Sequence, residues 1–110
     1  MNKVMLMGRL AYDVDLKQTQ TGLAVANMKV VTQERVDQKT TTETKMHNEW
    51  HNVVAWGITA ETCGKYLKAG SVVFIEGKLR TDQYEKNGVK TRTTKVVVDN
   101  IKFLKAEPET

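Results

Sequence analysis

NEWHNVVAWG, residues 48–57, is the stretch from which the rest of the sequence can be ordered. A strand's period of two puts Trp50, Asn52, Val54 and Trp56 on one face and His51, Val53 and Ala55 on the other. The chain has only two tryptophans, and both fall on that one face. Two readings are open. Tryptophan is highly buried on average, so the pair can be core. Val53 and Ala55, however, are small, apolar and suited to a narrow barrel interior, and if they point inward the indoles point outward. Outward indoles make a stacking platform for unpaired bases, each stack contributing ~1–3 kcal/mol.

Working outward, most of the chain has strand character. Residues 2–10 alternate, with Val4, Leu6, Gly8 and Leu10 on one side, and Gly8 marks a bulge or sharp bend. Residues 11–22 are polar and end in the turn signal Thr21-Gly22. Residues 23–32 alternate again through Ala24, Ala26, Met28 and Val30. Residues 33–48 hold almost no apolar side chains (Val36 and Met46 only) and read as a long loop.

After residue 57 comes the one helical stretch, about residues 59–69. Thr59 is its expected N-cap, Ala60, Cys63 and Leu67 fall at i, i+3 and i+7, and Gly70 is its stop. Residues 71–81 (SVVFIEGKLRT) return to β-branched composition, with Gly77 as a second bend. Asn87-Gly88 is a strong hairpin signal joining this strand to residues 90–104. The expected fold is all-β: a five-stranded Greek-key barrel of the oligonucleotide/oligosaccharide-binding (OB) type, with one helix between the third and fourth strands. It fills residues 1–105 as a single domain, leaving a short polar tail at 106–110.

Composition bounds the function. At 110 residues and 40% hydrophobic content, one globular domain is expected. A single Cys excludes a disulfide framework and a four-cysteine zinc site, and implies a reducing compartment. No apolar run approaches the ~20 residues of a membrane helix, and no signal-peptide core opens the chain. A cytoplasmic protein is therefore expected.

The net charge of +4 is modest, but its placement is uneven. Residues 78–95 carry Lys78, Arg80, Lys86, Lys90, Arg92 and Lys95 against Asp82 and Glu85, a balance of +4; residues 1–77 balance at +1 and residues 96–110 at −1. Concentrated positive charge is the footprint of a polyanion partner, although any solvated hairpin face can look the same. Tyr84 lies inside this segment, near the Asn87-Gly88 turn, where burial is not expected. It is either a cross-strand partner within the hairpin or a stacking ring among cations.

Enzymatic patterns are weak. His47, Glu49 and His51 fall at i, i+2 and i+4, which is not the helical H-E-x-x-H zinc signature, and no metal site is expected. Cys63 lies on the apolar helix face, where a thiol behaves as a small hydrophobe, so pairing with His51 as a nucleophile is not expected. No cofactor-binding motif and no catalytic constellation stands out.

These segments carry a resemblance. NKVMLMGRL, GLAVANMKVVT, NEWHNVVAWG, KYLKAGSVVFIEGKLRT and TTKVVVDNIKFL resemble, in order and spacing, the strands of the bacterial single-stranded DNA-binding protein family, across residues 2–104. The resemblance implies that Trp50, Trp56 and Tyr84 stack on bases, Trp56 and Tyr84 being aromatic replacements of commoner residues. It also implies that His51 lies at a subunit contact within a homotetramer. Two departures stand out. Val36 occupies a position where the family often has a further stacking tryptophan. The chain ends at KAEPET, six residues after Leu104, without the family's acidic, Phe-terminated tip, so recruitment of replication and repair enzymes through such a tip is not expected.

The expected function is binding of single-stranded DNA with little sequence preference, protecting it during replication, recombination and repair at the nucleoid. The expected phosphate contacts are Arg35, Lys39 and Lys45 from the long loop and Lys78, Arg80, Lys86, Lys90 and Arg92 from the hairpin. An assembly module of the primosomal type and an RNA-binding OB domain are the alternatives. The first makes Trp50→Ala and Trp56→Ala weaken a protein complex, not DNA binding; the second makes RNA outcompete DNA.

Overall fold

The computed structural model describes residues 1–37 and 44–104. Alternating apolar residues and glycine bends close a barrel. The elements run β1 (Val4–Leu10), β2 (Asp15–Gln18), β3 (Ala24–Asp37), β4 (Thr44–Trp56), α1 (Ile58–Tyr66), β5 (Val72–Lys86) and β6 (Val89–Phe103). The sheet order is β1-β5-β6-β4-β3-β2, and a further β1–β3 pairing at Arg9↔Val31 and Leu10↔Val30 closes five strands on themselves. All pairings are antiparallel except β4–β6, parallel at Val53↔Val96 and Val54↔Val97. This is the expected OB-type Greek-key barrel, with α1 between β4 and β5.

Both predicted bends lie at barrel corners. A Cβ on Gly8 would lie 2.4 Å from the Val31 carbonyl oxygen, where β1 passes from β5 to β3. A Cβ on Gly77 would lie 2.2 Å from the Val97 carbonyl oxygen, beside a register shift at Glu76/Gly77. Only glycine allows the backbones so close. The interior is narrow, and small or β-branched residues fill it: Ala24, Ala26, Met28 and Val30 from β3, Val53 and Ala55 from β4, Val73 and Ile75 from β5. Ala26 pairs with Ala55, so two methyl groups meet where larger side chains have no room.

The helix adds Ala60 and Cys63 to this core, followed by Leu67. Burial pushes the Cys63 thiol up to about 11, so it stays neutral and unreactive at ordinary pH. The helix ends differ from the expectation. Its N-cap is Gly57, at φ 68°, with no side-chain cap bond, and Thr59 lies inside the first turn. Gly57 turns sharply off β4 while its N–H donates to the Ala24 carbonyl at 2.8 Å. The helix stops at Tyr66, and Gly70, at φ 88°, instead turns the chain into β5 and donates to the Leu10 carbonyl at 2.7 Å.

Two further differences concern polar segments. Residues 11–22 are not all turn: Asp15–Gln18 form a sixth strand outside the closed five, paired with β3. Its one apolar side chain, Leu16, packs against α1 where Gly64 leaves space. Much of residues 33–48 is strand as well, since β3 runs to Asp37, β4 begins at Thr44, and the two pair along their whole length. Beyond Thr32 and Glu49 they pair only with each other. Such a ribbon has solvent on both faces, so it needs no apolar alternation and leaves no period to read. The 106–110 tail lies outside the described residues.

Candidate nucleic-acid interface

The interior decides what β4 shows to solvent. Val53 and Ala55 are 2% and 0% exposed, whereas Trp50 and Trp56 on the opposite face are 53% and 44% exposed. That excludes the reading in which the indoles are core. Val54, between them, is buried on the outer face against its β6 partner Val97. Across β3 the outer row is Val31 beside Trp50, Lys29 beside Asn52, Asn27 beside Val54 and Val25 beside Trp56. Trp50 and Trp56 are six positions apart along the strand, about 20 Å at strand rise. Asn27, Asn52, Thr93 and Lys95 line a groove of about 280 Å³ on this surface, giving amide, hydroxyl and ammonium groups between the two rings.

The β5–β6 hairpin continues that surface and divides its cations. Asn87 at φ 56° and Gly88 at φ 78° form a two-residue turn that sets the pairs from Lys86↔Val89 to Gly77↔Val98. Tyr84, 50% exposed, therefore shares a face with Lys78, Arg80, Asp82, Lys86 and Lys95. On that face Asp82 holds two cations, Arg80 Nε at 3.4 Å and Lys95 Nζ at 3.5 Å. The same three residues join Val54, Trp56 and Val97 around one small pocket, placing cations beside an indole. Lys90 and Arg92 are on the reverse face. There the Gln83 carboxamide oxygen, oriented to satisfy both groups, accepts from Arg92 Nε at 2.9 Å and Nη2 at 3.1 Å. Thr81 and Thr94 hydroxyls also meet on this side, at 2.9 Å.

The β3–β4 ribbon divides its cations in the same way. Arg35 pairs with Met46 and belongs to the tryptophan row; Lys45 pairs with Val36 and belongs to the opposite row. Lys39 and the side chain of Val36 lie outside the described residues. Of the eight expected phosphate contacts, the outer face thus gathers Arg35, Lys78, Arg80 and Lys86 with Trp50, Trp56 and Tyr84. It leaves Lys45, Lys90 and Arg92 behind it.

Three outer-face residues are not among the expected contacts. Lys29 and Lys95 lie on the groove's flanking strands, and alternation from Val31 and Val97 was the signal for both. Tyr12 is the third: its ring centroid is 6.2 Å from that of Trp50, with 40° between the planes. Its only sequence signal was an aromatic residue in an otherwise polar connection.

The inner row of the ribbon has a different chemistry. His51 Nε2 lies 2.9 Å from Thr32 Oγ1, and His47 Nε2 lies 2.8 Å from Glu49 Oε2. They line a groove of about 470 Å³ with Met5 and Met7 of β1, both exposed. No group of three or more His, Cys, Asp or Glu side chains placed to hold a metal ion occurs among the described residues. Among the same residues, no helix is long and apolar enough to cross a membrane.

Two solved structures share this architecture. One is a Plasmodium falciparum SSB complex with ssDNA, at 28% identity and TM-score 0.87, the match covering 96% of each chain. The other is a deletion mutant of the single-stranded DNA binding protein from Thermus aquaticus, at 30% identity and TM-score 0.86, covering 96% of this chain and 51% of that one. The model of the single-strand binding protein family matches residues 1–104, a span that contains every element from β1 to β6. With five closed strands, outward tryptophans and a cationic hairpin face in the same frame, the chain belongs to the single-strand binding protein family.

Proposed function

We propose that this protein binds single-stranded DNA with little sequence preference along the outer face of β3, β4, β5 and β6. The observation that carries the reading is the pair Trp50 and Trp56, half exposed on one strand face, with Arg80 and Lys95 beside Trp56. Rings stack on any base, and cations neutralise any phosphate, so little base identity is read. Within this reading Trp50, Trp56 and Tyr84 stack bases, while Arg35, Lys78, Arg80 and Lys86, joined by Lys29 and Lys95, meet phosphates. Lys45, Lys90 and Arg92 serve a strand that passes round the ribbon edges. The Plasmodium falciparum relative, solved with ssDNA, supports the same ligand class.

Assembly is a homotetramer, the state typical of the family. The exposed Met5 and Met7, with His51 in the groove beside them, support a subunit contact on that side. The protein works without catalysis, in the cytoplasm at the nucleoid, covering single strands during replication, recombination and repair.

The test is anisotropy of a labelled oligo(dT) at rising salt, with oligo(U) and duplex DNA as competitors, alongside sedimentation of the free protein. The reading expects weak competition from both and a steep fall in affinity with salt, as phosphate neutralisation releases counterions. Salt-insensitive binding, or better competition by oligo(U), contradicts it.

A further inference from the structure

The strongest feature the proposed function does not absorb is the pair formed by Tyr12 and Trp50. Tyr12 lies in the connection between β1 and β2, and 61% of its surface is exposed although its ring meets an indole at 6.2 Å. Two aromatic rings that only sheltered each other would gain by closer mutual burial. Here each keeps about half or more of its surface in solvent, tilted at 40° to the other.

Tyr12 is also held in place by its neighbours. The Ala11 N–H donates to the Lys29 carbonyl at 2.9 Å, fastening the residue before it to β3. Asp13 Oδ1 accepts from the Ala69 N–H at 2.8 Å, fastening the residue after it to the segment beyond α1. An exposed ring on a backbone tied at both sides loses little entropy when a flat ligand lies on it. Lys29, whose carbonyl makes the first of these ties, is in the outer row two residues from Val31, the cross-strand neighbour of Trp50. The residue that ties Tyr12 down thus also carries a cation in the outer row.

We propose that Tyr12 and Trp50 together form a base-stacking subsite at the β1–β2 end of the outer face, Tyr12 taking a nucleobase that Trp50 alone does not hold. The subsite rests on the proposed binding of single strands and extends it by one ring outside β4 and the hairpin. It widens the platform across β3, on the side of Trp50 away from the hairpin.

The experiment compares Tyr12→Ala, Tyr12→Leu and Tyr12→Phe by anisotropy with a labelled oligo(dT), with thermal melting as the check on folding. A second arm irradiates the unaltered protein with an oligonucleotide carrying 5-iododeoxyuridine, which couples to rings stacked on it, and maps the adduct by mass spectrometry. The expected result is a loss of roughly tenfold for Ala and for Leu, the size of one lost base stack, with Phe within about twofold of the unaltered protein and an adduct on Tyr12. Full affinity for Tyr12→Leu makes Tyr12 only a packing support for Trp50 and overturns the inference, as does full affinity for Tyr12→Ala. Adducts on the two tryptophans with none on Tyr12 also overturn it. If the unaltered protein itself fails to bind, the proposed function falls first.

Discussion

The two faces of β4 share one backbone and have opposite chemistries. Inward, Val53 and Ala55 are packed so closely that no bulk can be added; outward, Trp50 and Trp56 stand half in solvent over a groove of amides and cations. The difference teaches that the exposed rings follow from the narrowness of the barrel. A core that accepts only small residues on one face of a strand sends large ones to the other, where they are open to a ligand. Stability and ligand affinity should therefore separate cleanly by face.

The largest expected effect is on the outer face. Replacing both tryptophans with alanine removes two stacks of ~1–3 kcal/mol each, weakening oligo(dT) binding by roughly a hundredfold or more while the melting temperature changes little. A large drop in melting temperature, with affinity of the folded fraction kept, would break the comparison. The inner face should behave in reverse. Val53→Ala leaves a cavity in the barrel and destabilises by about 1–3 kcal/mol in denaturant unfolding, without altering the affinity of the folded protein.

The same division sharpens on the hairpin. Arg80 lies on the Tyr84 face and Arg92 on the reverse. Arg80→Ala should lower the slope of log affinity against log salt by about 0.7, one phosphate of a single strand, and Arg92→Ala should lower it less. Equal changes would mean that the strand uses both faces alike. The smallest effect concerns Asp82, which occupies Arg80 and Lys95 as a phosphate would. Asp82→Asn releases both, and binding should tighten by roughly threefold at low salt, with the gain fading at high salt. Weaker binding would show that Asp82 positions the cations instead of competing for them.

What was legible in the sequence was whatever touches the barrel. Val53 and Ala55 betrayed the inward face by their size, and Gly8 and Gly77 marked the corners because no Cβ fits there. The ribbon of β3 and β4 was hidden because water bathes both its faces, so polar residues cost nothing and alternation is lost. β2 was hidden for a like reason, since its pairing needs only Leu16 against α1. The division of hairpin cations was within reach. A two-residue Asn87-Gly88 turn fixes the pairing, and pairing fixes the face of every side chain. Tyr12 was not, because its place beside Trp50 depends on ties from Lys29 and Ala69, far away in sequence.

The central claim is that single-stranded DNA lies on the outer face of β4. Intrinsic tryptophan emission during titration with oligo(dT) tests it most directly, because both indoles of the chain are on that face. The account predicts deep, saturable quenching that reverses on adding salt. Saturated binding with unchanged emission would place the strand elsewhere and contradict it.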